Sequence, residues 1–193
     1  ALNRDNGLVS NWVMSLYEDA RGSLWVDTNG EGINRIREGR IAAIRASDGL
    51  WDPVVQTIIE DRAGHLWMTC NRGFYRVPLA ELDAFAEGRT SKVTSTGFGP
   101  GAALRSTTFA SGHQAAGAVD ALGHLWVPTF KGLVIVDPAH LPGSGGPPAV
   151  AIEDVLVNGT STPAGAALVL PPGSVPLSIR YAARLLRNAE RVR

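Results

Sequence analysis

Residues 7–28, GLVSNWVMSLYEDARGSLWVDT, and residues 49–70, GLWDPVVQTIIEDRAGHLWMTC, are two copies of one pattern set 42 positions apart. At that offset Gly7/Gly49, Leu8/Leu50, Val13/Val55, Glu18/Glu60, Asp19/Asp61, Gly22/Gly64, Leu24/Leu66 and Trp25/Trp67 are identical. Leu16 and Val26 meet Ile58 and Met68, and Met14 meets Gln56, a side chain of similar shape. A third copy, AVDALGHLWVPT at 118–129, brings Asp120, Gly123, Leu125 and Trp126 into register 59 residues after the second. Self-similarity at a long, near-constant period marks a repeat architecture.

Inside the first copy, apolar and polar residues alternate between turn residues, which is the strand signal. Strands are expected over Val13–Glu18, Ser23–Asp27, Ile33–Arg37 and Arg40–Arg45. Asp19-Ala20-Arg21-Gly22 is a tight turn, because Asp bonds the backbone ahead of it and Gly tolerates positive φ. Asn29-Gly30-Glu31-Gly32 turns again. Four short antiparallel strands in about 40–45 residues make one propeller blade, whereas β-helices repeat faster and helical solenoids show 3.6-residue spacing. The expected fold class is all-β, a partial β-propeller of about three four-stranded blades. Residues 1–6 end a preceding blade, and blades occupy 7–48, 49–105 and 106–141. In the second, Leu79, Leu82, Phe85 and Ala86 fall at helical spacing before Gly88, so a short helical insert is expected near 78–87, between the third and fourth strands. Gly97–Gly101 reads as a loop, and Ser106–Gln114 leads into the third copy.

Composition narrows the function. Of 193 residues, 45% are hydrophobic and 19% charged, and 18 basic residues balance 18 acidic ones for a net charge of zero. No net positive field draws a phosphate backbone, so nucleic acid is not an expected partner. No apolar run approaches the roughly 20 residues of a membrane helix. The single Cys70 cannot form an internal disulfide. The 22 Gly and 12 Pro fit a chain rich in turns. No signal peptide precedes the first copy, and both ends read as cut from a longer chain. Because propellers close with roughly 4–8 blades, three would leave apolar faces and strand edges open, a partner-seeking state. The expected partner is therefore the remaining propeller blades of the parent chain.

The motif G-L-x-x-N-x-V-x-S-L-x-E-D-x-x-G-x-L-W-V-x-T-x-G-x-G-I-N-R at 7–35 resembles the two-component regulator propeller repeat. Such repeats fill the extracytoplasmic sensor regions of bacterial hybrid histidine kinases. Gly123–Pro138 resembles the closing blade of that sensor, which in the family is followed by a Pro-rich link and an Ig-like sandwich named for its tyrosines. The resemblance implies that 142–148, rich in Pro and Gly, is that linker, and that 149–193 is the N-terminal part of an incomplete Ig-like β-sandwich. There Ala149–Asn158 alternates as a strand, Gly159–Gly165 turns, and Ala167–Leu170 and Pro176–Tyr181 form further strands. Residues 182–193 read either as strand or as a basic amphipathic helix, with strand favoured. The resemblance also implies a periplasmic location and a homodimer formed through the sandwich.

Trp25, Trp67 and Trp126 recur at one blade position, so packing between sheets explains them better than a sugar platform. His65 and His124 follow the turns without the ligand spacing of a metal site, and read as exposed turn residues. Asp19, Asp61 and Asp120 lack the oxygen-rich pattern of calcium loops and read as turn formers. Asn158-Gly159 reads as a hairpin turn rather than a glycosylation sequon, and Cys70 as a small buried hydrophobe. No nucleophile elbow, phosphate loop or paired helical histidines occur, so neither an enzyme nor a cofactor is expected.

In an up-and-down blade, the loops leading into strand one and joining strands two and three share one face, opposite the D-x-x-G turns. That face should gather Asn11, Trp12, Asn29, Trp51, Asn71, Arg72, His113, Gln114 and Lys131, with Ser10, Glu31, Asp52, Ser111, Gly112 and Phe130 nearby. Trp12 and Trp51 are not at equivalent repeat positions, so repeat packing does not explain both. An aromatic beside Asn, Gln and Arg suits a small polar ligand or an oligosaccharide. The leading expectation is a non-catalytic sensor fragment. The alternatives are a polysaccharide lyase or hydrolase, which needs a titratable cluster on that face, and a protein-interaction scaffold, which needs a flat apolar one.

Overall fold

The structure, a computed structural model, describes residues 1–99, 108–110, 116–141, 149–163 and 176–184. The repeated D-x-x-G segment folds the same way three times. One carboxylate oxygen of the aspartate accepts two backbone N–H groups of the turn. These are Arg21 and Ser23 for Asp19, and Ala63 and His65 for Asp61, all at 2.9 Å, with Leu122 and His124 for Asp120 at 2.8 and 2.9 Å. The other oxygen accepts the indole N–H of the tryptophan beyond the turn: Trp25 at 2.9 Å, Trp67 at 2.7 Å and Trp126 at 2.9 Å. The turn aspartate thus fixes both the hairpin and the ring that follows it.

Around these hairpins the strands form up-and-down antiparallel sheets. β1 (Val13–Glu18), β2 (Leu24–Thr28), β3 (Ile33–Arg37) and β4 (Arg40–Ile44) pair in sequence order. β2 begins after Ser23 because the Ser23 amide belongs to the Asp19 turn. β4 stops before Arg45, whose amide donates to Asp48 at the 3₁₀ turn Ala46–Asp48. β5 (Thr57–Glu60), β6 (His65–Cys70), β7 (Gly73–Pro78) and β8 (Thr96–Phe98) make the second sheet, with helix α1 (Leu79–Ala86) inserted before its last strand, as the helical spacing anticipated. Gly97 is strand rather than loop. A Cβ there would lie 2.3 Å from the Trp51 ring, so only glycine lets that indole lie flat on the outer strand.

The third sheet has β9 (Ala118–Val119), β10 (Leu125–Thr129) and β11 (Gly132–Val136), with β11 at its edge. Phe109 continues the β9 side by bridging to Thr129. Three strands, not four, are found here among the described residues. The first strands β1, β5 and β9 are neighbours, so the three sheets fan out from one line. Two cores fill the spaces between them. Trp25, Ile33 and Ile44 meet Ile58, Leu66, Met68, Tyr75 and Leu82 between the first and second sheets. Trp67, Phe74 and Phe98 meet Phe109, Leu125, Val127 and Val136 between the second and third. Trp25 and Trp67 therefore each pack toward the following sheet.

α1 lies against both β4 and β7. Its Asp83 receives Arg21 from the first hairpin and stands 3.0 Å from the Arg35 guanidinium of β3. Arg35 and Asp83 have side chains only 6% exposed, so this is an internal ion pair.

Residues 143–193 form a separate unit. In it β12 (Ala149–Val157) lies between β13 (Thr160–Pro163) and β14 (Leu177–Arg184) in an antiparallel sheet. The turn expected over 159–165 is tighter: Asn158 and Gly159 take φ of 52° and 78°, and Thr160 already pairs with Val157. Two successive left-handed residues match the twist of a hairpin, which is why Asn-Gly suffices. β14 carries the favoured strand reading through Arg184, while the strand expected at 167–170 and the rest of 182–193 lie outside the described residues.

Asp61→Ala should destabilise the protein by about 2–3 kcal/mol, since it leaves the buried Trp67 N–H and two turn amides without an acceptor; chemical denaturation measures this. Gly73→Ala should cost at least about 1 kcal/mol, because at φ 137° its Cβ would meet the Phe98 carbonyl oxygen at 2.1 Å.

Candidate functional site

The loop face is built by short, strongly tethered segments. Before β1, Asn34 of β3 reaches back to the N-terminal segment: its amide oxygen accepts the Val9 N–H at 2.8 Å and its amide nitrogen donates to Gly7 at 3.1 Å. This strap buries Leu8 and Val9 and delivers Asn11 and Trp12 to the start of β1. The Trp12 carbonyl accepts the Asn29 amide at 3.1 Å, and Asn11 accepts the Arg4 amide at 2.8 Å. Asn11, Trp12 and Asn29 are thus brought together in one corner. The Trp12 side chain is 64% exposed and is not among the side chains packed against either core.

The second cluster is Trp51, Asn71 and Arg72. The Arg72 guanidinium lies 4.4 Å from the Trp51 ring centre and donates to the Trp51 carbonyl at 3.1 Å. Tyr75 and Gly97 support the same indole from within. Asn71 accepts from Gln56 at 3.0 Å. Two backbone bonds join the clusters, Gly32 to Pro53 at 2.8 Å and Val55 to Thr28 at 3.2 Å. In this corner Gln56 Oε1 and Thr69 Oγ1 are buried without a protein hydrogen bond. Lys131 stands on the β10–β11 turn of the third sheet beside the exposed Phe130. His113 and Gln114 lie outside the described residues.

Trp51 is a packing residue at least as much as a surface one, because it is half-buried against Gly97, Tyr75 and Arg72. Two departures from expectation follow. His65 and His124 are half-buried rather than simply exposed, with Nδ1 atoms 3.3 and 3.0 Å from Asp61 and Asp120. The turn aspartates also do more than form turns. The sequence signal for this was a tryptophan six residues after each aspartate, present in all three copies.

Between the inner strands lies a cavity of about 310 Å³, lined by Ser15, Tyr17, Thr57, Glu60, Ala118 and others. Two of its hydroxyls are already committed: Tyr17 donates to Glu60 at 2.8 Å and Ser15 to Asp27 at 2.8 Å. Burial, then the Glu60 carboxylate, pushes the Tyr17 hydroxyl well above its usual range. Burial pushes the Cys70 thiol up to about 12, so it is an inert core group. Among the described residues no group of His, Cys, Asp and Glu is placed to hold a metal ion, and no helix is long and apolar enough to cross a membrane.

Comparison with known proteins bears on the repeat first. Residues 7–30 match the family model for the two component regulator propeller. No curated protein sequence matches the chain. Among solved structures, it is similar to the extracellular domain of a protein described as the hybrid two component system BT4673 from B. thetaiotaomicron. That similarity has a TM-score of 0.54 and 19% identity, over 92% of this chain and 25% of that one. The corresponding domain of BT3049 from the same organism gives 0.51 and 17%, over 85% and 28%. At these identities the likeness is one of fold: a partial propeller of small antiparallel sheets. The chain spans about a quarter of the length of the solved structures that it matches.

Trp12→Ala should leave thermal stability within about 0.5 kcal/mol of the parent, as for an unpacked surface residue. Trp51→Ala should cost about 2–4 kcal/mol through lost packing; denaturation of the two variants side by side checks the difference.

Proposed function

We propose that the chain is a piece of the extracytoplasmic, periplasmic ligand-sensing region of a two-component signalling protein, non-catalytic itself, binding a small polar or carbohydrate ligand at the loop face. The observation that carries this reading is the repeat at 7–30, which matches the regulator propeller family within a fold like that of hybrid two-component extracellular domains.

The chemistry of the face supports binding over cleavage. Glycoside hydrolysis needs two carboxyl groups flanking the bond. The described loop-face residues offer Asn11, Trp12, Asn29, Asn71, Arg72 and Lys131 with Glu31, while the Asp52 carboxylate is buried and accepts the Val54 amide. An exposed indole beside Asn11 and Asn29 presents a flat apolar surface rimmed by amides, which fits a sugar ring.

Further blades of the parent protein would complete the ring. The repeat itself supports this: Trp25 and Trp67 are covered by the next sheet, whereas Trp126 is only half-buried, and Leu133 and Ile135 on the third sheet are 62% and 54% exposed. An apolar sheet face of this kind calls for a like partner. In the second unit, Ile152, Leu177 and Ile179 are exposed in the same manner. A second sheet would cover them in an Ig-like sandwich, the part through which two copies would pair.

A longer chain carrying the additional blades, screened by thermal shift against neutral and acidic oligosaccharides, tests the reading. A stabilising oligosaccharide should lose at least tenfold in affinity with Trp12→Ala at unchanged melting temperature. Binding that survives Trp12→Ala and Asn29→Ala would move the ligand away from this face.

A further inference from the structure

Asp27 breaks the pattern of its own repeat. The equivalent positions hold Thr69 and Pro128, neither of which ionises. Its side chain is fully buried in β2. Apart from its own backbone amide, its partners come from one residue: the Ser15 amide meets Oδ1, and the Ser15 hydroxyl lies 2.8 Å from Oδ2. Among the described residues no Lys, Arg or His pairs with it. From neighbouring elements the Tyr75 hydroxyl of β7 faces it, with the Cys70 thiol of β6 and the Asp52 carboxyl ahead of β5 near that hydroxyl, and none of the three is cationic. Nearby Arg72 is engaged with Trp51.

Ser15 is also where β1 departs from regular pairing. Val13 pairs with Thr28 and Ser15 with Asp27, so Met14 is an extra residue that bends the strand just after Trp12. Such a bulge leaves a local kink that something must fasten. Here the fastener is Asp27, one residue before Thr28 and two before Asn29, whose amide holds the Trp12 carbonyl.

We propose that Asp27 is a proton switch: as a neutral acid it fastens the β1 bulge and the Trp12–Asn29 corner, and as a carboxylate it lets that corner open to water. In the neutral acid the O–H on Oδ2 donates to the Ser15 oxygen, while Oδ1 still accepts the Ser15 amide, so both contacts survive. Ionisation instead places an unpaired charge where one hydroxyl, the Ser15 amide and its own amide answer it but no cation does, which is costly in a dry interior. Burial outweighs the Ser15 bonds and raises the carboxyl to about 7. Opened to water, the same group returns toward about 4.

The sign follows from proton counting. Between about pH 4 and 7 the closed corner holds one proton that the open corner releases, so opening grows about tenfold per pH unit and levels off above. The corner is tight in acid and loose at neutrality, whether or not it binds a ligand.

Hydrogen exchange on the 193-residue chain, corrected for intrinsic rates, tests this at the Ser15 and Asn29 amides, with the β6–β7 amides as an internal reference. Protection should fall about 50-fold from pH 5 to pH 7 at those two sites, and Asp27→Asn should make it flat. Asp27→Thr, which installs the residue that the second repeat uses, serves if the amide does not fold. A flat wild-type profile, a slope retained in both variants, or an Asp27 carboxyl carbon that titrates near pH 4 by NMR would each overturn the switch.

Discussion

A carboxylate that takes an indole N–H is the interaction on which this chain depends. A tryptophan offers the largest apolar surface of any side chain, but it carries one donor that must find an acceptor when water is removed. Asp19, Asp61 and Asp120 provide that acceptor from within the hairpin, so the ring can be pressed between sheets without an orphaned N–H. Trp25 is fully buried and Trp67 nearly so as a result. For Asp19, burial opposes ionisation, but the Trp25 indole and the Ser23 and Arg21 amides outweigh it and hold the carboxyl below its usual range. The same residue type behaves in the opposite way at Asp27, where burial outweighs the bonds from Ser15 and from its own amide. Two aspartates in one hairpin therefore sit on opposite sides of the ordinary carboxylate range: the indole and turn amides outweigh burial at Asp19, and burial outweighs the answering donors at Asp27.

The strands of the first two sheets were legible because alternation and turn chemistry agree there. Val13–Glu18 and Ile33–Arg37 stand where the pattern puts them, and α1 was announced by four apolar residues at helical spacing. Gly97 was misread because glycine looks like a loop residue when its neighbour in space is unknown. Trp51, far away in sequence, decides its role. The histidines after the turns were misread for a similar reason, since only coordinates show the ring nitrogens turned toward the aspartates. The D-x5-W spacing was visible in three copies and its meaning was missed.

The candidate site divides along the same line. Trp12 and Trp51 look alike in the sequence, both off the repeat register and both beside polar residues. One is held out at a strand start by the Asn34 strap, and the other is laid on a glycine under an arginine. Sequence placed them on a common face, but it could not say which indole is spoken for. That distinction rests on contacts between elements, where a linear pattern carries least information.

The helix between the third and fourth strands of the second sheet has a mechanical meaning. Asp83 is gripped by arginines from the β1–β2 turn and from β3 of the first sheet, and Leu82 of the same helix sits in the core the two sheets share. The insertion between β7 and β8 thus acts as a cross-brace. Neither sheet can peel away without extracting a buried ion pair, which costs far more than its exposed counterpart. The first two sheets should consequently melt as one cooperative block. The third sheet is joined through aromatic and aliphatic contacts and the Arg62 bonds to the Asp120 and Ala121 carbonyls, with no buried ion pair of this kind among the described residues.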